Sequence, residues 1–142
     1  MTESELFLLD TNVLIYAYDK DEIEKSKKAE EMLAKCFLGE INFAISNQNL
    51  AEFVYATTRK SKLSFEQAMV NAKDIFNSKT FKKIDYTSET VISAIEIANE
   101  FKTSFWDSLL AATMRENGIF NIYTENAKDF KIPWIKAVNP FT

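Results

Sequence analysis

Apolar positions along the chain alternate between two rhythms. Short runs with strand character occur at Leu6 to Leu9, Asn42 to Ile45, Lys82 to Tyr86, Phe120 to Tyr123 and Ile135 to Val138. Between them the spacing is helical. Ala29, Met32, Leu33, Cys36 and Phe37 mark one helix, with Glu24/Lys28 and Glu31/Lys35 as i,i+4 pairs opposite and Gly39 as its stop. Phe65, Ala68, Met69, Ala72 and Phe76 mark another, opened by a capping box of Ser64 and Gln67. Val91, Ala94, Ile95, Ala98 and Phe101 mark a third. A helix capped by Ser46 should turn Leu50, Phe53, Val54 and Thr57 inward, and the segment from Ser104 to Met114 is apolar almost all round, as a largely buried helix would be. Strands separated by helices of this length predict βαβ units and an α/β fold. The expectation is a three-layer α/β/α sandwich around a mostly parallel central sheet of about five strands. The first run does not alternate, which suits a central strand covered on both faces. Ligands of such sheets sit at the carboxyl ends of the strands, near the switch in strand order.

At 142 residues, without a repeat or a Pro/Gly/Ser linker, the chain is expected to form one domain spanning 1–142. Its absences narrow the chemistry. With no histidine, Ser-His-Asp triads, His general bases and His-containing zinc sites are excluded. One cysteine, Cys36, allows neither an internal disulfide nor a Cys-rich metal cluster. Two glycines, Gly39 and Gly118, cannot build a Walker A loop or a GxGxxG turn. Carboxylate chemistry remains, with or without a metal. The net charge of −4 speaks against a chain coated in nucleic acid, although local patches can defy a net value. Neither a signal sequence after Met1 nor an apolar stretch near the ~20 residues of a membrane span is visible, so a cytoplasmic location is expected.

Three acids occupy informative places. Asp10 ends the first apolar run just ahead of a helix, which suits a ligand at the sheet edge and equally an N-cap. Glu52 lies off the inward stripe of its helix and shares a face with Asn49, Ala56 and Arg59, as a solvated residue would. Asp107 begins the row Asp107, Leu110, Ala111, Met114 on the apolar helix. A carboxylate there must be neutralised, capped or bound to a cation, and Ser104 offers it the N3 place of a capping box. After the fourth run, Thr124, Asn126 and Asp129 add polar groups at the same edge, in a loop whose composition is also ordinary turn chemistry. Converging carboxylates repel one another and so favour a divalent cation between them. Hard oxygen donors suit Mg²⁺ or Mn²⁺, and such sites commonly take phosphoryl substrates.

The segments Phe7-Leu-Leu-Asp10-Thr-Asn-Val-Leu14, Asn49-Leu-Ala-Glu52-Phe, Ser104-Phe-Trp-Asp107-Ser-Leu-Leu-Ala-Ala and Ile122-Tyr-Thr124-Glu-Asn126 together resemble the PIN domain. This is the metal-dependent ribonuclease fold of the VapC-like toxins in prokaryotic toxin–antitoxin pairs. The resemblance runs in order through nearly the whole chain to Val138-Asn-Pro140-Phe. It implies that Asp10, Glu52 and Asp107 bind Mg²⁺ or Mn²⁺ and act in catalysis, and that Thr11 and Thr124 position them. The acid often found after the fourth strand matches Asn126 here, with Asp129 three residues on; either could complete the site. The implied activity is endonucleolytic hydrolysis of RNA, single-stranded or in exposed loops, leaving a 5′-phosphate and a 3′-hydroxyl. The implied partners are RNA, a cognate antitoxin and a second copy in a homodimer. Arg59, Lys60 and Lys62, the group Lys25, Lys27 and Lys28, and the pair Lys128 and Lys131 could meet phosphates, although a solvated charge run accounts better for any one of them. Two other readings compete. One is a catalytically weak PIN scaffold that binds RNA or a protein partner, for which Asn126 is the best support. The other is a haloacid-dehalogenase-like phosphatase, which also carries an acid after its first strand but pairs it with a second acid where this chain has Asn12.

Overall fold

A computed structural model describes residues 5–142; residues 1–4, where the expectation about a signal sequence chiefly falls, lie outside them. The order of elements is β1 (Phe7–Leu9), α1 (Thr11–Tyr18), α2 (Ile23–Phe37), β2 (Phe43–Ser46), α3 (Asn47–Arg59), α4 (Phe65–Asn77), β3 (Phe81–Ile84), α5 (Ser88–Phe101), α6 (Phe105–Glu116), β4 (Asn121–Tyr123) and β5 (Lys136–Val138). The strands form a five-stranded sheet in the order β3-β2-β1-β4-β5, and every neighbouring pair is parallel. The expected α/β/α sandwich is therefore present, with a sheet that is parallel throughout. β1 lies at its centre. The strand order reverses beside it, between β1 and β4.

The strands β1 to β4 feed two cores, because successive side chains leave a strand on opposite faces. Leu8, Ala44, Ile84 and Ile122 pack with Ala94 and Ile97 of α5 and with Leu109, Leu110 and Met114 of α6. Leu9, Phe43, Ile45 and Phe81 pack on the other side with Val13 and Leu14 of α1, Met32 and Cys36 of α2, Phe53 of α3 and Ile75 of α4. The helix α6 is fully buried from Ser108 to Met114, as its nearly continuous apolar sequence predicts. Helix ends follow the sequence signals. Ser46, Ser64 and Ser104 each accept from the backbone amide three residues on, and α2 closes at Leu38, followed by Gly39 with φ of +80°.

Several boundaries and one face differ from expectation. Four strands are shorter than their apolar runs, β3 for instance spanning Phe81–Ile84 and β5 starting at Lys136, while β2 keeps its length and is shifted by one residue. Along α4 the expected stripe is largely outside. Ala68 is buried, but Phe65, Met69 and Phe76 are exposed, and it is Ile75 that enters the core. On α5, Ile97 is buried while Ile95 and Ile92 face outward. Both helices present more apolar surface than one inward stripe can use, and periodicity alone does not choose between two such faces.

Candidate active site

The carboxyl edge of the sheet gathers the site. The first turn of α1 begins where β1 stops, so Asp10 sits at the strand end with its backbone amide still bonded to the Tyr123 carbonyl of β4 (3.0 Å). Its two oxygens have separate partners. Oδ1 accepts from the Thr11 amide (2.8 Å) and Oδ2 from the Thr124 hydroxyl (2.8 Å). Asp10 is thus the N-cap of α1, and Thr124, fully buried just past β4, orients its carboxylate.

Glu52 comes from the second turn of α3. It lies on the exposed side of that helix, as its spacing predicts, yet Oε1 turns inward to accept from the Thr11 hydroxyl (3.1 Å). Thr11 is held in turn by Asn49, whose Nδ2 donates to the same hydroxyl oxygen (3.1 Å). The Asn49 Oδ1 accepts from the Ser46 amide (3.2 Å) and hydroxyl (2.8 Å), which closes the capping box of α3. Asn49 is fully buried. A continuous chain of hydrogen bonds therefore runs from the end of β2 through Asn49 and Thr11 to Glu52. Asn12 does the same for the β4 loop: its Nδ2 donates to the Thr124 hydroxyl (3.4 Å) and its Oδ1 accepts from the Glu125 amide (3.2 Å).

Asp107 stands at the third position of α6, where its backbone amide is capped by the Ser104 hydroxyl (3.1 Å). The reciprocal bond of a full capping box is not made, which leaves the carboxylate free of the Ser104 amide. Asp10, Thr11, Asn12, Gln48, Glu52, Asp107 and Asn126 line one cavity of about 840 Å³. Arg59, Lys60, Tyr55, Tyr86 and Trp106 form further parts of its wall. Asn126 is in this lining and Asp129 is not, although Asp129 is near enough to Asp107 to raise its pKa. Of the basic groups singled out in the sequence, only Arg59 and Lys60 reach the cavity wall. Lys25 instead bonds Glu125 (2.7 Å), which also accepts from the Tyr16 hydroxyl (2.9 Å).

Electrostatics tie the three acids together. Burial raises the pKa of Asp10 above the ordinary carboxylate value; the Thr124 hydroxyl and Thr11 amide oppose this, and the Asp107 charge adds to it. Glu52 is raised by desolvation, opposed by Thr11, and raised further by the charges of Asp10 and Asp107. Asp107 is raised by desolvation and then by Asp129, against the Ser104 hydroxyl. The donor set of carboxylate, hydroxyl and amide oxygens fits a hard divalent cation. Among the described residues, no three acidic side chains stand at ligand spacing around one point. Thr11 and Thr124 hold the Glu52 and Asp10 carboxylates in place.

Asn49 and Asn12 were quoted in the sequence motifs without a role. Their signal was an amide three or two residues from a candidate acid at a helix start. No curated protein matches the chain. Among solved structures, it resembles VapC20 of Mycobacterium tuberculosis, described as a sarcin–ricin loop cleaving toxin, at 24% identity over 84% of this chain and 88% of that one, with a TM-score of 0.64. It resembles VapBC2 of Rickettsia felis bound to a DNA fragment from their promoter at 26% identity, over 94% and 98%, with a TM-score of 0.65. DNA-bound VapBC of Salmonella typhimurium gives 21% identity over 96% and 99% and a TM-score of 0.67. The model of the PIN domain matches residues 7–132, which takes in all three acids and the Thr124 loop, and the chain belongs to the PIN domain family.

Proposed function

We propose that the chain, as one domain over 1–142, is an Mg²⁺- or Mn²⁺-dependent endoribonuclease and the toxin of a toxin–antitoxin pair, acting in the cytoplasm. The observation that carries this reading is the meeting of Asp10, Glu52 and Asp107 in one cavity beside the strand-order switch, each raised in pKa by burial and all within electrostatic reach of another acid. Asp10, Glu52 and Asp107 would hold the cation, with Asn126 or, through a water, Asp129 as the fourth donor. A bound divalent cation supplies polarisation of a phosphate oxygen and acidification of water. The chain's own residues do the positioning. Thr124 and Thr11 fix the Asp10 and Glu52 oxygens, and Arg59 and Lys60 at the wall offer positive charge to flanking phosphates.

The structural relatives include VapBC assemblies, and outward-facing Phe65, Met69, Val70 and Phe76 on α4 and Ile92 and Ile95 on α5 give this chain apolar surface for an antitoxin and for a second copy in a homodimer. The alternative is a weakly active PIN scaffold. It draws on Asn126 in place of an acid. RNA cleavage with Mg²⁺ or Mn²⁺ against EDTA separates the two. Asp10→Ala, Glu52→Ala and Asp107→Ala should each remove nearly all cleavage, and a double variant should be little worse than a single one. Near wild-type cleavage by Glu52→Ala would remove Glu52 from the site, and wild-type protein inert with either metal would leave the scaffold reading.

A further inference from the structure

We propose that the mouth of the carboxylate cavity is a base-stacking lip, built by Trp106, Tyr55 and Tyr86, which takes an unpaired nucleobase next to the phosphate held below. This rests on the nuclease reading for what lies at the cavity floor. Three aromatic residues from three elements meet at this one cavity: Tyr55 on α3, Tyr86 after β3 and Trp106 in the first turn of α6. Trp106 is 60% exposed and Tyr55 63% exposed, although both are large enough to be drawn into a core.

Neighbouring groups hold the lip in place. Asn47 and Gln48, consecutive in the first turn of α3, each tie one of the aromatic residues by its backbone. Asn47 Oδ1 accepts from the Tyr86 amide (3.3 Å), and Gln48 Nε2 donates to the Trp106 carbonyl (3.1 Å). Gln48 is buried, so the second tie is shielded from water. The Trp106 indole meets Phe105 edge to face with ring centres 5.3 Å apart, and Arg59 lies 5.1 Å from the Tyr55 ring while bonding its hydroxyl (2.7 Å). Phe105 thus braces Trp106 and Arg59 braces Tyr55, while both aromatic residues stay more than half exposed. A rigid aromatic surface loses little entropy on binding.

The charges select a nucleotide over an apolar protein segment. One cavity wall presents carboxylates for a cation, Arg59 and Lys60 for phosphate, and the aromatic residues Tyr55, Tyr86 and Trp106. A single strand with splayed bases offers groups that match all three, and bases stack on aromatic rings whatever their identity. A duplex keeps its bases stacked on each other and does not.

Trp106 itself can report the event. The chain has two tryptophans, and Trp134 packs elsewhere, against Phe120 and Arg115. Trp134→Phe protein is titrated in Ca²⁺ with a short single-stranded RNA of mixed sequence, with the same RNA in a blunt duplex, and with an abasic strand of equal length. Quenching of Trp106 by the single strand alone is expected. Should Trp134→Phe fold poorly, the emission of wild type less that of Trp106→Phe carries the same signal. In cleavage of the single strand, Trp106→Ala and Tyr55→Ala should each raise KM about tenfold, and Trp106→Phe should recover much of the loss. Emission unmoved by the single strand overturns the proposal and leaves the lip to a protein partner. Unchanged KM in both alanine variants overturns it as well, with the nuclease reading intact. Quenching without metal-dependent cleavage keeps the lip and removes the nuclease.

Discussion

Asn126 and Asp129 differ in charge, in distance from the strand end and in what they touch. Asn126 lies in the cavity wall, with its backbone amide bonded to the Thr124 hydroxyl that orients Asp10 (3.2 Å). Asp129 ends a short 3₁₀ turn, Ala127–Asp129, outside that wall, but its charge reaches Asp107. An amide oxygen binds a divalent cation less strongly than a carboxylate, so the number of anionic ligands sets the affinity. If Asn126 is the fourth donor, Asn126→Asp should lower the Mg²⁺ concentration for half-maximal cleavage severalfold, and Asn126→Ala should raise it only modestly. If Asp129 serves instead through a water, Asp129→Asn should raise the requirement sharply while Asn126→Ala does little. The position of Asn126 in the wall favours the first pattern. Metal titrations of the three variants decide, and a curve moved only by the Asp129 change defeats the Asn126 assignment.

The start of α3 joins three jobs in one turn. Ser46 caps the helix, Asn49 completes the cap and holds Thr11, and Asn47 and Gln48 tie two other elements. Asn49→Ala would leave the buried Ser46 amide and the Thr11 hydroxyl each short of a partner. Each unmet buried group costs about 1–3 kcal/mol. Urea unfolding should show a loss of about 2–4 kcal/mol with an unchanged slope, and cleavage should fall with it because Glu52 loses its oriented donor. A loss under about 0.5 kcal/mol would mean that Asn49 is a bystander. The element itself was legible: Ser46 stands ahead of a helical apolar spacing. The role of Asn49 was not, because the face it shares with Glu52 looks solvated until β1 and α1 close over it. The same gap explains α4. Its sequence carries apolar residues at helical spacing, but the pattern cannot say that Ile75 packs inward and Phe65, Met69 and Phe76 stay outside. Strand ends were blurred for a related reason. Residues such as Leu6 and Ile135 are apolar because they pack beside the sheet, not because they pair in it.

At the scale of the whole molecule, the alternation of apolar runs and helices was enough to give a sandwich with a parallel sheet, and the rule for carboxyl edges points to the edge where Asp10, Glu52 and Asp107 share one cavity. What pattern could not supply was the balance of charge there, since pKa depends on burial and distance. The folded values of Asp10, Glu52 and Asp107 all lie above the ordinary carboxylate values of the unfolded chain. Between those values the native state binds more protons than the unfolded state. The stability these groups contribute is therefore present at low pH and is lost as pH climbs from about 4 through the raised values. In EDTA, melting temperature should fall over that window, and Asp107→Asn, which keeps the backbone cap from Ser104, should melt higher than wild type at pH 7 and show a shallower fall. Added Mg²⁺ should act in the opposite direction on wild type. At a hundredfold excess over its Kd it contributes about 2.7 kcal/mol, and the gain should shrink in Asp107→Asn, which has one anionic ligand fewer. Melts of both proteins across pH, with EDTA and with Mg²⁺, test the two halves together. A wild-type melt indifferent to millimolar Mg²⁺ would sink the metal site, and an Asp107→Asn protein less stable than wild type in EDTA would make Asp107 a helix-capping acid instead of a repelled ligand.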